Sequence, residues 1–161
     1  MKKLWICILA ILAGMIACWV LAIMLLGGSN DEVSRKRIIA YVDQNHETLE
    51  FVIQDGIPDE ESEQEALIRD RFGKQNIVKS ISKYSDSKIG FYCGGTGNAT
   101  NSTYSGFYFS AADKPFALMF SSEAKLEETS PGVYEWKSST GKEIITERIM
   151  PNWFYYHIVW N

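Results

Sequence analysis

The chain has 161 residues, 46% of them hydrophobic and 22% charged, with 20 acids against 16 lysines and arginines and a formal charge of −4. That balance excludes a nucleic-acid binder, because phosphate contacts need clustered Lys and Arg, and the basic residues here are few and scattered. Cys7 and Cys18 lie in an apolar N-terminal run and Cys93 stands alone beyond it, which excludes a disulfide-stapled scaffold; one Cys with His46 and His157 forms no spaced zinc-ligand pair.

The apolar run is Leu4–Leu26, uncharged throughout and preceded by Lys2 and Lys3. As a helix rising about 1.5 Å per residue it covers roughly 34 Å, against a hydrocarbon core of about 30 Å. It has no polar face, which separates it from a buried core helix. Trp5 is placed for an interface; Trp19 lies too deep to anchor there. A cleaved secretory signal would have a shorter apolar region closing on a small-residue site, and no Ala-x-Ala precedes Gly27-Gly28. A lipoprotein signal would modify Cys18 after Met15-Ile16-Ala17, but Trp19–Leu26 continues apolar where such a protein turns polar. Residues 1–27 are therefore read as a leader and single-pass transmembrane anchor, marked by Leu4, Trp5, Trp19 and Leu26. Cleavage and lipidation at Cys18 remain the alternatives.

A first helix behind a short basic leader usually keeps its N-terminus inside, and acids such as Asp31 and Glu32 count for little in that rule. Residues 28–161 are thus expected outside the cytoplasm at the cell membrane, as one domain large enough to bury its own core. All the acids lie in this part, along with all the basic residues except Lys2 and Lys3. It is therefore more acidic than the whole chain.

Gly27-Gly28-Ser29-Asn30-Asp31 forms a short linker, and Asn30 or Asp31 can cap the helix that follows. Ile38, Val42, Leu49 and Ile53 recur near the 3.6 period, widened by Ile39 and Val52, and predict a helix to about Gln54. Gly56 and Pro58 end it. Ser62-x-x-Glu65 has capping-box spacing and predicts a second helix through Phe72, stopped by Gly73. The acids from Asp59 to Glu65 fit a helix N-terminus facing water better than a cation site, since the Asp-x-Asp-x-Asp-Gly loop is missing.

After Gly73 the pattern becomes short β-prone runs. They are Ile77–Tyr84, Ile89–Cys93, Tyr104–Ser110, Phe116–Ser121, Val133–Lys137, Ile144–Ile149 and Trp153–Trp160. Turn residues separate them, the longest stretch being the Gly94–Thr103 loop. Helices first and strands afterwards predict an α+β fold: one long and one short helix packed on an antiparallel β-meander of about five to seven strands. Trp153 and Tyr155 alternate with Phe154, Tyr156 and Trp160, so the last strand should be central or covered on both sides.

Motifs for chemistry are sparse. Gly95-x-Gly97 has neither the Gly-x-Gly-x-x-Gly nor the Gly-Lys-Ser/Thr pattern, and no helix is expected to open after it, which argues for a hairpin loop over a phosphate site. No cofactor is called for. Cys93 shares a face with Ile89 and Phe91, as a core thiol would; as a nucleophile it would need His46 or His157 within reach. There is no Gly-x-Ser-x-Gly elbow. Asn98-Ala99-Thr100 and Asn101-Ser102-Thr103 are both glycosylation sequons, a pattern that a Ser/Thr/Asn loop also produces by composition.

The aromatic pattern is the best functional pointer. Alternation puts Ile89, Phe91, Cys93, Phe107 and Phe109 on one face and Tyr92, Tyr104, Gly106 and Tyr108 on the other. Tyrosine offers apolar area plus a hydroxyl, which suits carbohydrate or protein contact. The candidate binding face is therefore Tyr92, Tyr104 and Tyr108 beside Gly95, Gly97 and Asn98. The competing arrangement is a second, smaller apolar layer under a loop or helix.

Phe91-Tyr92-Cys93-Gly94-Gly95, Gly106-Phe107-Tyr108-Phe109-Ser110, Asp113-Lys114-Pro115, Thr146-Glu147-Arg148 and Asn152-Trp153-Phe154-Tyr155-Tyr156 carry a resemblance. Together with the anchor, the stretch from about Tyr84 to the C-terminus resembles a group of small membrane-anchored or lipoprotein-like extracytoplasmic proteins of Gram-positive gut bacteria. The resemblance implies a bacterial envelope setting and brings no activity, so no site residue transfers. The helix-on-meander outline is also similar to cystatin-like and PepSY-like domains, a likeness of fold alone.

The reading that follows is a membrane-anchored, extracytoplasmic, non-catalytic binding domain whose partner is an envelope protein or a glycan. The alternatives are a cysteine-dependent envelope enzyme using Cys93, and a structural or regulatory partner of a membrane protein.

Overall fold

The computed structural model describes residues 33–73, 76–97, 101–118 and 124–160. These fall within one unit, Asp31–Asn161. The proposed anchor Leu4–Leu26, with Leu4, Trp5, Trp19 and Leu26, lies outside the described residues, as does Asn98. Among the described residues no helix is long and apolar enough to cross a membrane.

Two helices, α1 (Arg35–Asp55) and α2 (Glu61–Phe72), pack on a seven-stranded antiparallel sheet. Helix α1 buries the stripe Ile38, Val42, Leu49 and Val52 and stops at Gly56, whose φ of 88° suits a residue without Cβ. It starts after Ser34, whose carbonyl accepts from the amides of Arg37 and Ile38; the expected caps Asn30 and Asp31 lie outside the described residues. The Ser62–Glu65 capping box does not form. Helix α2 opens two residues earlier, with Glu60 at the N-cap position, so both side chains sit inside its first turns, and the acids Glu61 and Glu63 meet the positive pole of the helix instead.

The strands are β1 (Ser80–Ser85), β2 (Lys88–Gly94), β3 (Ser102–Ser110), β4 (Glu127–Ser130), β5 (Val133–Lys137), β6 (Glu143–Met150) and β7 (Trp153–Trp160), in spatial order β1-β2-β3-β7-β6-β5-β4. This is not one continuous meander. Two meanders, β1–β3 and β4–β7, join along the β3–β7 ladder, and the chain after β3 travels to the far edge before returning to the centre. Strand β7 is the middle strand, which explains why it is apolar on both faces.

Two expected features differ. Phe116–Leu118 joins no ladder and lies against the sheet as a strap packing on Tyr108 and Gly90; residues 119–121 of that expected strand lie outside the described residues. Strand β4 was not expected, because Glu127–Ser130 is entirely exposed and carries no apolar alternation, as an edge strand allows.

The sheet divides the core in two. On the helix side Ile81, Ile89, Phe91, Cys93, Phe107, Trp153 and Tyr155 pack with the helices. The cross-strand pair Phe91 and Phe107 stacks there at 4.8 Å. On the other side Tyr108, Ile144, Phe154, Tyr156 and Ile158 pack with Leu118 of the strap, and Tyr108 stacks on its cross-strand partner Phe154 at 5.1 Å.

Candidate functional site

Alternation delivers the predicted faces. Tyr92 and Tyr104 share the face away from the helices, with ring centroids 6.2 Å apart and planes tilted by 52°. Tyr108 shares that face but leaves the candidate surface, being fully buried. Its hydroxyl pairs with Thr146 Oγ1 at 2.9 Å and accepts from the Phe116 amide at 3.3 Å, so the strap closes over it. This is the second apolar layer, and it corrects the expectation of three exposed tyrosines.

Where the strap ends, a concavity of about 230 Å³ remains over the β1 edge of the sheet. Gly90 forms its floor. The ladder sets Ser82 on one side of Gly90 and Tyr108 on the other. A Cβ on Gly90 would lie 3.1 Å from both Leu118 Cδ2 and Tyr84 Cε2, so the hollow exists because this position has no side chain. Tyr84, 43% exposed, walls one end; Tyr92 and Tyr104 wall the other. Tyr156 closes the inner side, beside Gly106, where any Cβ would collide with the tyrosine ring and the Phe91 carbonyl. Ser80 and Ser82 bring two hydroxyls along the open edge.

No charged side chain lines this cleft. Burial raises the Tyr84 phenol above its ordinary value, opposed by a hydrogen bond with Ser82. Burial also drives Tyr156 well above its ordinary value, so both groups stay neutral hydroxyls. Tyr84 and Tyr156 were not among the sequence candidates. Alternation sets Tyr156 with Phe154 and Trp160 but does not say which side of the sheet they take, and the contact of Tyr84 with Phe116 of the strap is made only by the tertiary fold.

Gly95 and Gly97 do not line the cleft. The Thr103 amide donates to the Thr96 carbonyl at 2.6 Å, and Thr96 N donates to Thr103 Oγ1 at 3.1 Å. Those amides close the hairpin on itself and are not presented to a ligand. A Cβ on Gly95 would strike the Thr103 backbone, and Gly97 holds φ 137°, so both glycines serve a tight backbone approach.

Cys93 is fully buried and burial pushes its thiol well above its usual range. Its nearest hydrogen-bond acceptor is the Phe91 carbonyl at 3.9 Å. His157 Nδ1 pairs with the buried Ser105 Oγ at 2.8 Å, and His46 Nδ1 lies 3.1 Å from the Asp43 carbonyl on α1. Both histidines thus engage groups other than the thiol. Among the described residues no group of three or more His, Cys, Asp or Glu is placed to hold a metal.

A larger hollow of about 810 Å³ lies along α1 between Arg37, Tyr41 and Phe72. The Tyr41 hydroxyl there already donates to Asn76 Oδ1 at 3.3 Å. The smaller cleft is the better site because its aromatic walls and hydroxyls converge on one floor residue. Comparison with family models, curated proteins and solved structures finds no match to this chain.

Proposed function

We propose that this protein is a membrane-anchored, extracytoplasmic binding domain that takes a sugar ring of a glycan in the tyrosine cleft. The observation carrying the proposal is the neutral hollow over Gly90, walled by Tyr84, Tyr92, Tyr104 and Tyr156. An aromatic wall accepts the apolar C–H face of a pyranose, while tyrosine and serine hydroxyls meet its hydroxyls. At about 230 Å³ the hollow is smaller than the roughly 300–1,000 Å³ of drug-sized pockets, which fits one ring and disfavours a multi-ring cofactor. A protein partner would call for a flatter and broader patch, since standard interfaces bury on the order of 800 Å² per side. The Cys93 alternative loses support from the burial of the thiol.

The uncharged run Leu4–Leu26 supports a single-pass anchor, and the short basic leader supports the outward placement of residues 28–161. A glycan array probed with the detergent-solubilised full chain tests the binding. Captured glycans should be lost with Tyr92→Ala and with Gly90→Val, while circular dichroism of both variants stays native. Unchanged capture by both folded variants overturns the cleft as the site. Protease added to intact cells tests the placement: digestion of the domain supports it, and protection inside intact cells with cleavage only after lysis refutes it.

A further inference from the structure

We infer that the glycan recognised by the cleft is acidic, carrying a carboxylate or phosphate next to the ring held over Gly90. This rests on the glycan reading above and adds the charge of the ligand. The residue responsible is Lys88. It stands two positions before Gly90 on β2, and alternation puts both on the face away from the helices. Two steps along a strand are about 7 Å, within the reach of a lysine side chain from the floor of the cleft. Its Nζ sits 5.0 Å from the ring centroid of Phe116 in the strap. That ring meets Tyr84, the end wall, edge-on at 5.7 Å. The ammonium is thereby linked through the Phe116 ring to Tyr84, the end wall of the cleft.

The charge around it points the same way. Among the described residues Lys88 forms no ion pair, whereas Lys83 on the neighbouring strand is paired with Asp59 and Asp86, and Lys137 is paired with Glu143. On the same face Arg148 also lies over an aromatic ring, that of Phe154, but its guanidinium is held by Asp113. No carboxylate lines the cleft. In a chain whose net charge is −4, a cation with no ion pair among the described residues, two positions along β2 from the floor of a neutral aromatic hollow, favours an anionic group and disfavours a cationic one. A quaternary ammonium, which aromatic walls alone would accept, meets Lys88 as a like charge.

The test uses the full chain in detergent micelles and a glycan panel built in matched sets: a neutral sugar, its uronate and its 6-phosphate on the same backbone. At 50 mM salt the anionic members should bind about three- to fivefold more tightly than the neutral one, the size of an exposed ion pair. The ratio should fall toward one in 0.5 M salt, where screening is strong. Lys88→Gln should abolish the ratio and leave neutral binding intact. A preference for uronates alone or for phosphates alone identifies which anion is read, and either supports the inference. Equal binding of neutral and anionic members, or a ratio unchanged in Lys88→Gln, overturns the inference and leaves the glycan reading standing. If no member of the panel binds the wild-type chain, both fall together.

Discussion

The two faces of the sheet are built from the same strands, yet only one is finished. On the helix side, Phe91, Phe107 and Trp153 lie beneath α1, which brings a continuous apolar stripe, and these rings are fully buried. On the other side the cover is a strap, and it reaches only part of the way. Tyr108 and Phe154 are sealed beneath Phe116 and Leu118, while Tyr92 and Tyr104 are left half-buried around Gly90. A helix can cover a sheet along its length because its side chains repeat every turn; a short irregular segment covers only the residues it touches. The unfinished face therefore keeps its aromatic area available for a ligand, and its tyrosine content suits that role because each ring joins apolar area to a hydroxyl.

This contrast can be broken most decisively on the helix side. Phe91→Ala should cost about 3–5 kcal/mol, the range for truncating a buried aromatic, read from urea denaturation of the solubilised chain. Cys93 reports on the same layer. In a Cys7→Ser, Cys18→Ser background its thiol should resist a disulfide reagent in the folded state and react as the domain opens, and Phe91→Ala should speed that labelling. Rapid labelling of the folded protein would mean that the helix side is not closed as described.

A smaller loss is expected where the strap closes. Tyr108→Phe removes the bonds to Thr146 and to the Phe116 amide and should cost about 1–2 kcal/mol, since a buried donor is left without its acceptor. The glycan cleft next to it should lose affinity if that loss lets the strap shift.

The start of the strap is pinned by Asp113, whose φ of 52° is uncommon for a residue with a side chain. Its Oδ1 accepts from Arg148 and, at 2.7 Å, from the Asn152 amide. These two donors hold the Asp113 carboxyl below the usual carboxylate range. A lowered value in the folded state means that the linked stabilisation is complete above the unfolded value of about 3.9 and is lost as pH falls through the folded one. Asp113→Asn should therefore make the acid limb of a stability–pH profile shallower. An identical acid limb in the variant would show that this carboxylate is not linked to folding.

The smallest stability effect belongs to the open face. Tyr84→Ala, at a residue 43% exposed whose ring meets Phe116 edge-on, should cost no more than about 1 kcal/mol while removing one wall of the cleft. Weakened glycan binding together with this small cost in stability would sharpen the division between a structural face and a binding face. A large loss of stability would erase it.

Much of the layout was readable from residue order. The 3.6 period of Ile38, Val42 and Leu49 placed α1, and the period of two in Ile89-x-Phe91-x-Cys93 and Phe107-x-Phe109 assigned the helix-side core. Both repeats follow directly from backbone geometry, so no knowledge of distant neighbours is needed. Strand β4 escaped because Glu127–Ser130 is polar and exposed throughout and leaves no apolar mark. Phe116-Ala117-Leu118 misled in the opposite sense: its apolar residues read as a strand, but their burial comes from lying flat on Tyr108 and Gly90.

The candidate site was legible in half. Tyr92 and Tyr104 were named from alternation and do meet, whereas Tyr108 carries the same local signal and has the opposite fate. Sequence by itself determined which way each side chain points from its strand, because alternation is a property of the local backbone. Only the tertiary structure decided which tyrosines are covered. That depends on where a segment from beyond β3 lies, and on a ladder register that sets Ser82 and Tyr108 on either side of Gly90.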